Sequence, residues 1–173
     1  MTFKPSKYSN YELKLHKYFY DKTQGIDPSH IFNIKVKDHN FIFFFINKEN
    51  YFKARAYIKS IRNDIKNKKI SIIRTNNILV DLIFNLFPDL CIYDIKIEIN
   101  NLTGRYEISI YFLKELNTYQ IAVGSGGRYI KALNILFEKY INFGNKDTPL
   151  ELKCLQISSN NLLNSAMSQQ SSS

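Results

Sequence analysis

Ile121-Ala122-Val123-Gly124-Ser125-Gly126-Gly127-Arg128-Tyr129-Ile130-Lys131-Ala132-Leu133 gathers three of the chain's six glycines into four residues. An apolar segment leads into the cluster and an amphipathic pattern leads out of it. Gly124 and Gly127 are spaced G-x-x-G. Glycine has no Cβ, so it lets the backbone turn sharply and lets a second backbone come close. A loop of this kind opening a helix presents N–H groups to a phosphate, and the helix N-terminus adds partial positive charge. Arg128 and Lys131 fall in the first turn of the predicted helix, where the dipole slightly disfavours a cation. A bound anion would account for both. Two other phosphate motifs fail. The dinucleotide fingerprint needs glycine at position 129 and meets Tyr129. The P-loop needs Gly-Lys before Ser or Thr and meets Gly127-Arg128-Tyr129.

Outward from the loop, the pattern alternates between strand and helix. Cys91 to Ile99 reads as a strand with Ile95, Ile97 and Ile99 on one face and Lys96 and Glu98 on the other. Tyr106 to Phe112 reads as its partner, with Ile108, Ile110 and Phe112 inward. Clean alternation in both suits an antiparallel pair with one covered face. Arg128 to Phe143 has a helical stripe of Ile130, Leu133, Phe137 and Tyr140, with Gly144 as its C-terminal cap. Pro149 leads into a strand from Leu150 to Ile157, where Leu155 and Ile157 break the alternation. Two readings stand for that break: both faces covered, or a bulge. Residues 159 to 173 form a tail rich in Ser, Asn and Gln, whose end reads as disordered.

Upstream, Asn76 to Phe87 is a predicted helix ended by Pro88. Asn50 to Lys69 is another, with Tyr51, Ala54, Ile58, Ile61 and Ile65 at spacings of three and four. Its other faces carry Lys53, Arg55, Lys59, Arg62, Lys66, Lys68 and Lys69 against Asp64 alone. A solvated face normally mixes signs, so a single sign suggests a surface that meets phosphates. Ile31 to Ile46 reads as a hairpin turning at Asp38-His39-Asn40. Its second strand, Phe41-Ile42-Phe43-Phe44-Phe45-Ile46, is too apolar to be left open to water. Either this chain or a partner must cover it. The first 30 residues alternate bases with tyrosines, and Tyr11 to Tyr20 suits a short helix.

Composition narrows the function. Lys and Arg number 24 against 15 Asp and Glu, a net charge of +9. That balance favours a polyanionic partner. No apolar run nears the roughly 20 residues that span a bilayer, so no membrane partner is expected. Residues 1 to 10 show neither a secretory apolar stretch nor the arginines of a transit peptide. Cys91 and Cys154 are far apart, and His16, His30 and His39 are scattered, so no metal site is expected. No Ser/His/Asp or Cys/His set and no convincing carboxylate pair appears. The chain reads as a non-enzyme without a cofactor. Ile, Asn, Lys, Phe and Tyr are abundant, Trp is absent and Pro numbers 4. Such usage follows AT-rich codons and points to an organelle genome.

The order from Asn76 to Ile157 is helix, strand, strand, G-x-x-G, helix, strand. That is the order of a type II KH domain, whose loop clamps about four nucleotides of single-stranded nucleic acid. The chain resembles the bacterial and organellar S-three family of small-subunit ribosomal proteins over Ile78 to about Ala166. The likeness rests on the strand pair 92–99 and 106–111, on Val123-Gly124-Ser125-Gly126-Gly127 with Ile130 and Leu133, and on Leu150 to Ile157 followed by Leu162-Leu163-Asn164-Ser165-Ala166. Ser165 stands where that family has an acidic residue. The family's N-terminal motif is not recognisable, and its second, C-terminal domain is absent, either lost or supplied by a separate chain.

The expected class is α+β. Residues 1–47 form an N-terminal extension with a β-hairpin, 48–158 a basic helix plus the type II KH domain, and 159–173 the tail. The resemblance implies a ribonucleoprotein role in translation, in the head of the small subunit of a mitochondrial or plastid ribosome. It implies small-subunit rRNA, mRNA where it enters the subunit, and neighbouring ribosomal proteins as partners. The alternative is a free-standing KH factor in transcription or ribosome maturation. The expected RNA-binding residues are Gly124, Ser125, Gly126, Gly127, Arg128 and Lys131, the basic set Lys53, Arg55, Lys59, Arg62, Lys66 and Lys69, and Arg105 beside the strand pair.

Overall fold

The computed structural model describes residues 1–143 and 150–170. In chain order the elements are β1 (Thr2–Phe3), α1 (Asn10–Lys22), β2 (His30–Val36), β3 (His39–Ile46), α2 (Tyr51–Arg55), α3 (Ile58–Asp64), β4 (Lys68–Arg74) and α4 (Leu79–Leu86). There follow β5 (Asp94–Asn100), β6 (Arg105–Leu113), α5 (Tyr119–Val123), α6 (Arg128–Tyr140), β7 (Ile141–Asn142), β8 (Leu150–Ile157) and α7 (Ser159–Gln170). The class is α+β. Contacts divide the chain into two compact units, residues 1–88 with 135–147 and residues 89–134 with 148–173.

In the first unit, Ser9 starts α1 with a reciprocal cap. Its Oγ accepts from Glu12 N at 3.2 Å, and its own N–H donates to Glu12 Oε2 at 2.8 Å. β2 and β3 form a hairpin as expected, with register Ile34↔Phe41 and Phe32↔Phe43, but it turns at Lys37-Asp38, and His39 and Asn40 are already paired in β3. β3 is the middle strand of the sheet β2-β3-β4 and pairs with β4 in parallel. That position explains its unbroken apolar run. Ile42, Phe44 and Ile46 join Phe19, Ile31, Ala54, Ile61, Ile70 and Ile72 in one core. On the opposite face Phe45 meets Phe3 at 5.2 Å and Phe32 at 5.5 Å, and Phe32 stacks on Tyr140 at 4.4 Å. Each fully buried Ile or Phe among these contributes about 2 kcal/mol. The apolar strand is therefore covered within this chain.

Several expectations are corrected here. The helix predicted for 50–69 is two short helices and a strand. Ile65 leaves the helix with ψ 78°, Asn67 turns at φ +63°, and the β-branched Ile70, Ile72 and Ile73 run along β3. The expected boundary between residues 47 and 48 is crossed by the β3–β4 ladder, so the N-terminal segment is part of a packed unit. The tail, for which no helix was expected, is helical over Ser159–Gln170, and the end expected to be disordered lies outside the described residues. Its start is held by Glu115 Oε1, which accepts from Ser159 N at 3.0 Å and from the Ser158 and Ser159 hydroxyls. β8 pairs with β6 without interruption from Tyr106↔Leu150 to Leu113↔Ile157, so no bulge is present. The Gly144 cap and Pro149 lie outside the described residues.

In the second unit the sheet order is β5-β6-β8, antiparallel between β5 and β6 and parallel between β6 and β8. Ile108, Ile110 and Phe112 are fully buried as predicted. β5 is not. Ile97 is 39% exposed and Ile99 55%.

The two units repeat one topology. In each, a strand pair is followed by two helices and a third strand parallel to the middle one: β2-β3-α2-α3-β4, and β5-β6-α5-α6-β8 once β7, which pairs with β1, is set aside. They differ where the two helices meet.

Candidate nucleic-acid interface

In the second unit α5 and α6 meet at Gly124-Ser125-Gly126-Gly127. Gly124 lies at φ +75°, ψ 167°, Gly126 at φ +60° and Gly127 at φ +67°. Side chains rarely adopt these left-handed conformations, which is why glycine recurs. Gly124 is also sterically required: a Cβ there would sit 2.8 Å from Tyr129 Cβ. The turn is closed by Gly127 N donating to Gly124 O at 2.9 Å and Arg128 N donating to Ser125 O. Three of its N–H groups, counting Gly124 N to Gln120 O at 3.1 Å, are thus spent inside the turn. Ser125 and Gly126 form its exposed crest.

Beside this turn runs an open groove of about 590 Å³. Tyr119, Gln120 and Val123 of α5 and Ile130 and Asn134 of α6 line one side, and residues 151–155 of β8 the other. Asn134 ties the two sides together, bonding both the C=O and the N–H of Leu152. The groove mixes apolar walls with Lys153 and Glu151. Lys153 is paired with Glu107 at 3.1 Å, and that carboxylate raises its pKa. Glu107 in turn is held below the usual carboxylate range, first by the Asn100 amide and then by Lys153. Burial pushes the Cys154 thiol up to about 12, so at neutral pH it is a protonated wall residue and not a nucleophile. Among the described residues no cluster of three His, Cys, Asp or Glu side chains is arranged to hold a metal. Among them, too, no helix is long and apolar enough to cross a membrane.

The predicted site residues are distributed as follows. Gly124, Ser125, Gly126, Gly127, Arg128 and Lys131 share the α5–α6 junction, with Lys131 exposed and Arg128 half-buried. Arg105 is exposed at the start of β6. The basic set belongs to the first unit and does not share one helix face. Lys53 and Arg55 lie on α2, Lys59 and Arg62 on α3, Lys66 in the turn after α3, and Lys69 on β4. Lys53, Lys59, Lys66 and Lys69 are exposed. Arg62 is engaged within the fold, donating to Ile70 O from Nε at 3.3 Å and from Nη2 at 3.0 Å. The corresponding junction of the first unit is Ala56-Tyr57, both residues in ordinary helical conformation. It is two residues shorter, and it has no glycine. The first unit therefore lacks the turn that distinguishes the second.

Sequence reading missed the second wall of the groove. β8 comes beside α6 only through its pairing with β6. The one legible sign was Asn134, a polar residue set among the apolar residues of α6.

No family model and no curated protein matches this chain. Among solved structures, the fold is similar to the crystal structure of APE1850. The TM-score is 0.57 with 19% identity, covering 84% of this chain and 100% of that one. Neither unit alone accounts for that coverage. At this identity the similarity is one of fold.

Proposed function

We propose that this protein binds single-stranded RNA in the groove between the glycine turn and β8. The observation that carries the reading is the left-handed Gly124–Gly127 turn between two helices, beside an edge strand parallel to the middle strand of its sheet. That arrangement supports a type II KH domain in the second unit. In such a domain the turn approaches the RNA backbone and the groove accepts the bases. Lys131 adds charge beside the turn that neutralises phosphates, so affinity falls as salt rises; the exposed lysines of the first unit form a basic surface of their own.

Two settings fit this reading, and one is a free-standing factor acting in transcription or ribosome maturation. The apolar strand Phe41 to Ile46 is buried within this chain, so it leaves no open apolar strand for a free-standing factor to cover. A second reading, a resident protein of an organellar small ribosomal subunit, is favoured by the resemblance carried by the strand pair, the loop and residues 150–166.

Two measurements test this. Fluorescence anisotropy with a single-stranded RNA should show salt-sensitive binding that a duplex does not match. Introducing aspartates at Ser125 and Gly126 should weaken it by repelling phosphate. Unchanged affinity in that double variant would refute the groove. Sedimentation of organelle lysate in magnesium then separates the settings. Stoichiometric travel with the small subunit through moderate salt means a ribosomal protein, and a position at the top of the gradient means a factor.

A further inference from the structure

β5 is an edge strand. It pairs with β6 on one side, and among the described residues no strand pairs with its other side. Such edges are templates for another strand, and proteins usually blunt them with proline, a bulge, short length or charged side chains, which repel a partner unless its charges are complementary. β5 has seven residues, no proline and an unbroken register with β6. Its faces are open: Lys96, Ile97, Glu98 and Ile99 are all exposed.

The strand sequence Asp94-Ile95-Lys96-Ile97-Glu98-Ile99-Asn100 is complementary to itself when read antiparallel about Ile97. A twofold axis there sets Ile97 opposite Ile97, Ile95 opposite Ile99, and Lys96 opposite Glu98 twice. Opposed side chains in an antiparallel pair lie about 5 Å apart and interact directly. Other registers are worse. A slip of one residue places isoleucines against charges. Centring on Lys96 opposes two lysines and sets Asp94 against Glu98, and centring on Glu98 opposes two glutamates. Within the chain, Glu98 faces Glu107 across the ladder, while Glu107 is already held by Asn100 at 2.7 Å and by Lys153 at 3.1 Å. Glu98 thus has a like charge opposite it on one side and an open edge on the other.

We propose that β5 pairs antiparallel with β5 of a second copy of this chain, joining two three-stranded sheets into one of six through the Lys96–Glu98 pairs. The dimer aligns the exposed isoleucines of both copies in one row and gives each Glu98 a lysine neighbour.

Sedimentation equilibrium of the full chain over a range of concentrations tests this. The wild-type mass should double as concentration rises. Lys96→Glu alone, or Glu98→Lys alone, turns both cross-pairs repulsive and should raise the dissociation constant about tenfold or more. Mixing the two single variants restores opposite charges at both positions and should re-form a dimer, as should the double variant K96E/E98K. A wild-type chain that stays monomeric at every concentration would overturn the proposal. So would single variants that dimerise as tightly as wild type, because another face would then be the contact.

Discussion

Asn134 grips the backbone of Leu152 on both sides of its Cα, with Nδ2 donating to Leu152 O at 3.0 Å and Oδ1 accepting from Leu152 N at 2.7 Å. One side chain thereby ties α6 to the edge of β8 and fixes the two walls of the groove. Asn134→Leu keeps the bulk and removes both bonds, leaving two part-buried backbone groups unmet. The expected cost is about 2 kcal/mol of stability, with RNA affinity falling as the wall loosens. Thermal unfolding and anisotropy read the two effects. A leucine variant with the wild-type midpoint would show that other contacts hold the strand.

The glycines of the turn should not respond alike. At Gly124 a methyl group would meet Tyr129 Cβ at 2.8 Å and Tyr129 N at 3.0 Å, in a conformation closed to other residues. At Gly127 nothing lies within 4 Å, and only the left-handed φ of +67° opposes a side chain. Gly124→Ala is expected to cost about 3 kcal/mol and Gly127→Ala about 1 kcal/mol. Equal losses in a denaturant titration would mean that backbone conformation, and not the Tyr129 contact, governs the turn.

What could be read in the sequence was local. The β2–β3 hairpin, the burial of Ile108, Ile110 and Phe112, and the helix after Gly127 follow from alternation and turn chemistry within a dozen residues. The break after α3 was hidden, because the helical spacing of Ile58, Ile61 and Ile65 leads smoothly into Lys68 and Lys69. The competing pull comes from pairing with β3, more than 20 residues upstream. The repeated topology was hidden for a related reason. The two helix junctions, Ala56-Tyr57 and Gly124 to Gly127, share neither residues nor length, and the likeness lies in strand pairing that no local pattern records. Half of the groove was hidden with it.

The basic residues of the first unit should separate into two classes. Arg62 spends its guanidinium on Ile70 O, so Arg62→Gln should lower stability by about 1 kcal/mol and leave the salt dependence of RNA binding unchanged. Lys59 is exposed and has no such bond within the fold among those seen, so Lys59→Gln should leave unfolding within about 0.5 kcal/mol of wild type. If Lys59 meets a phosphate, the slope of log affinity against log salt should fall by about 0.7. An unchanged slope would assign this lysine to the solvated surface.

Acid should act on the first unit through Asp64. Its carboxylate takes Lys22 Nζ at 2.7 Å and the Tyr18 hydroxyl, and these two donors, Lys22 first, hold it below the ordinary 3.8. A carboxylate whose folded pKa is depressed contributes its stability above the unfolded value and loses it as pH falls through the folded one. Wild type should therefore lose its advantage over Asp64→Asn between about pH 4 and the lowered value, and the two should converge below it. At the alkaline end, burial and then Asp64 raise the Tyr18 hydroxyl above 10. That stabilisation is present below pH 10 and disappears as Tyr18 ionises, so Tyr18→Phe should flatten the alkaline limb. The site is exposed, so both differences should shrink at high salt. Denaturation midpoints for wild type, Asp64→Asn and Tyr18→Phe across pH, at two salt concentrations, check all three expectations. Parallel curves for wild type and Asp64→Asn through the acid range would show that the Lys22–Asp64–Tyr18 group contributes nothing to the folded state.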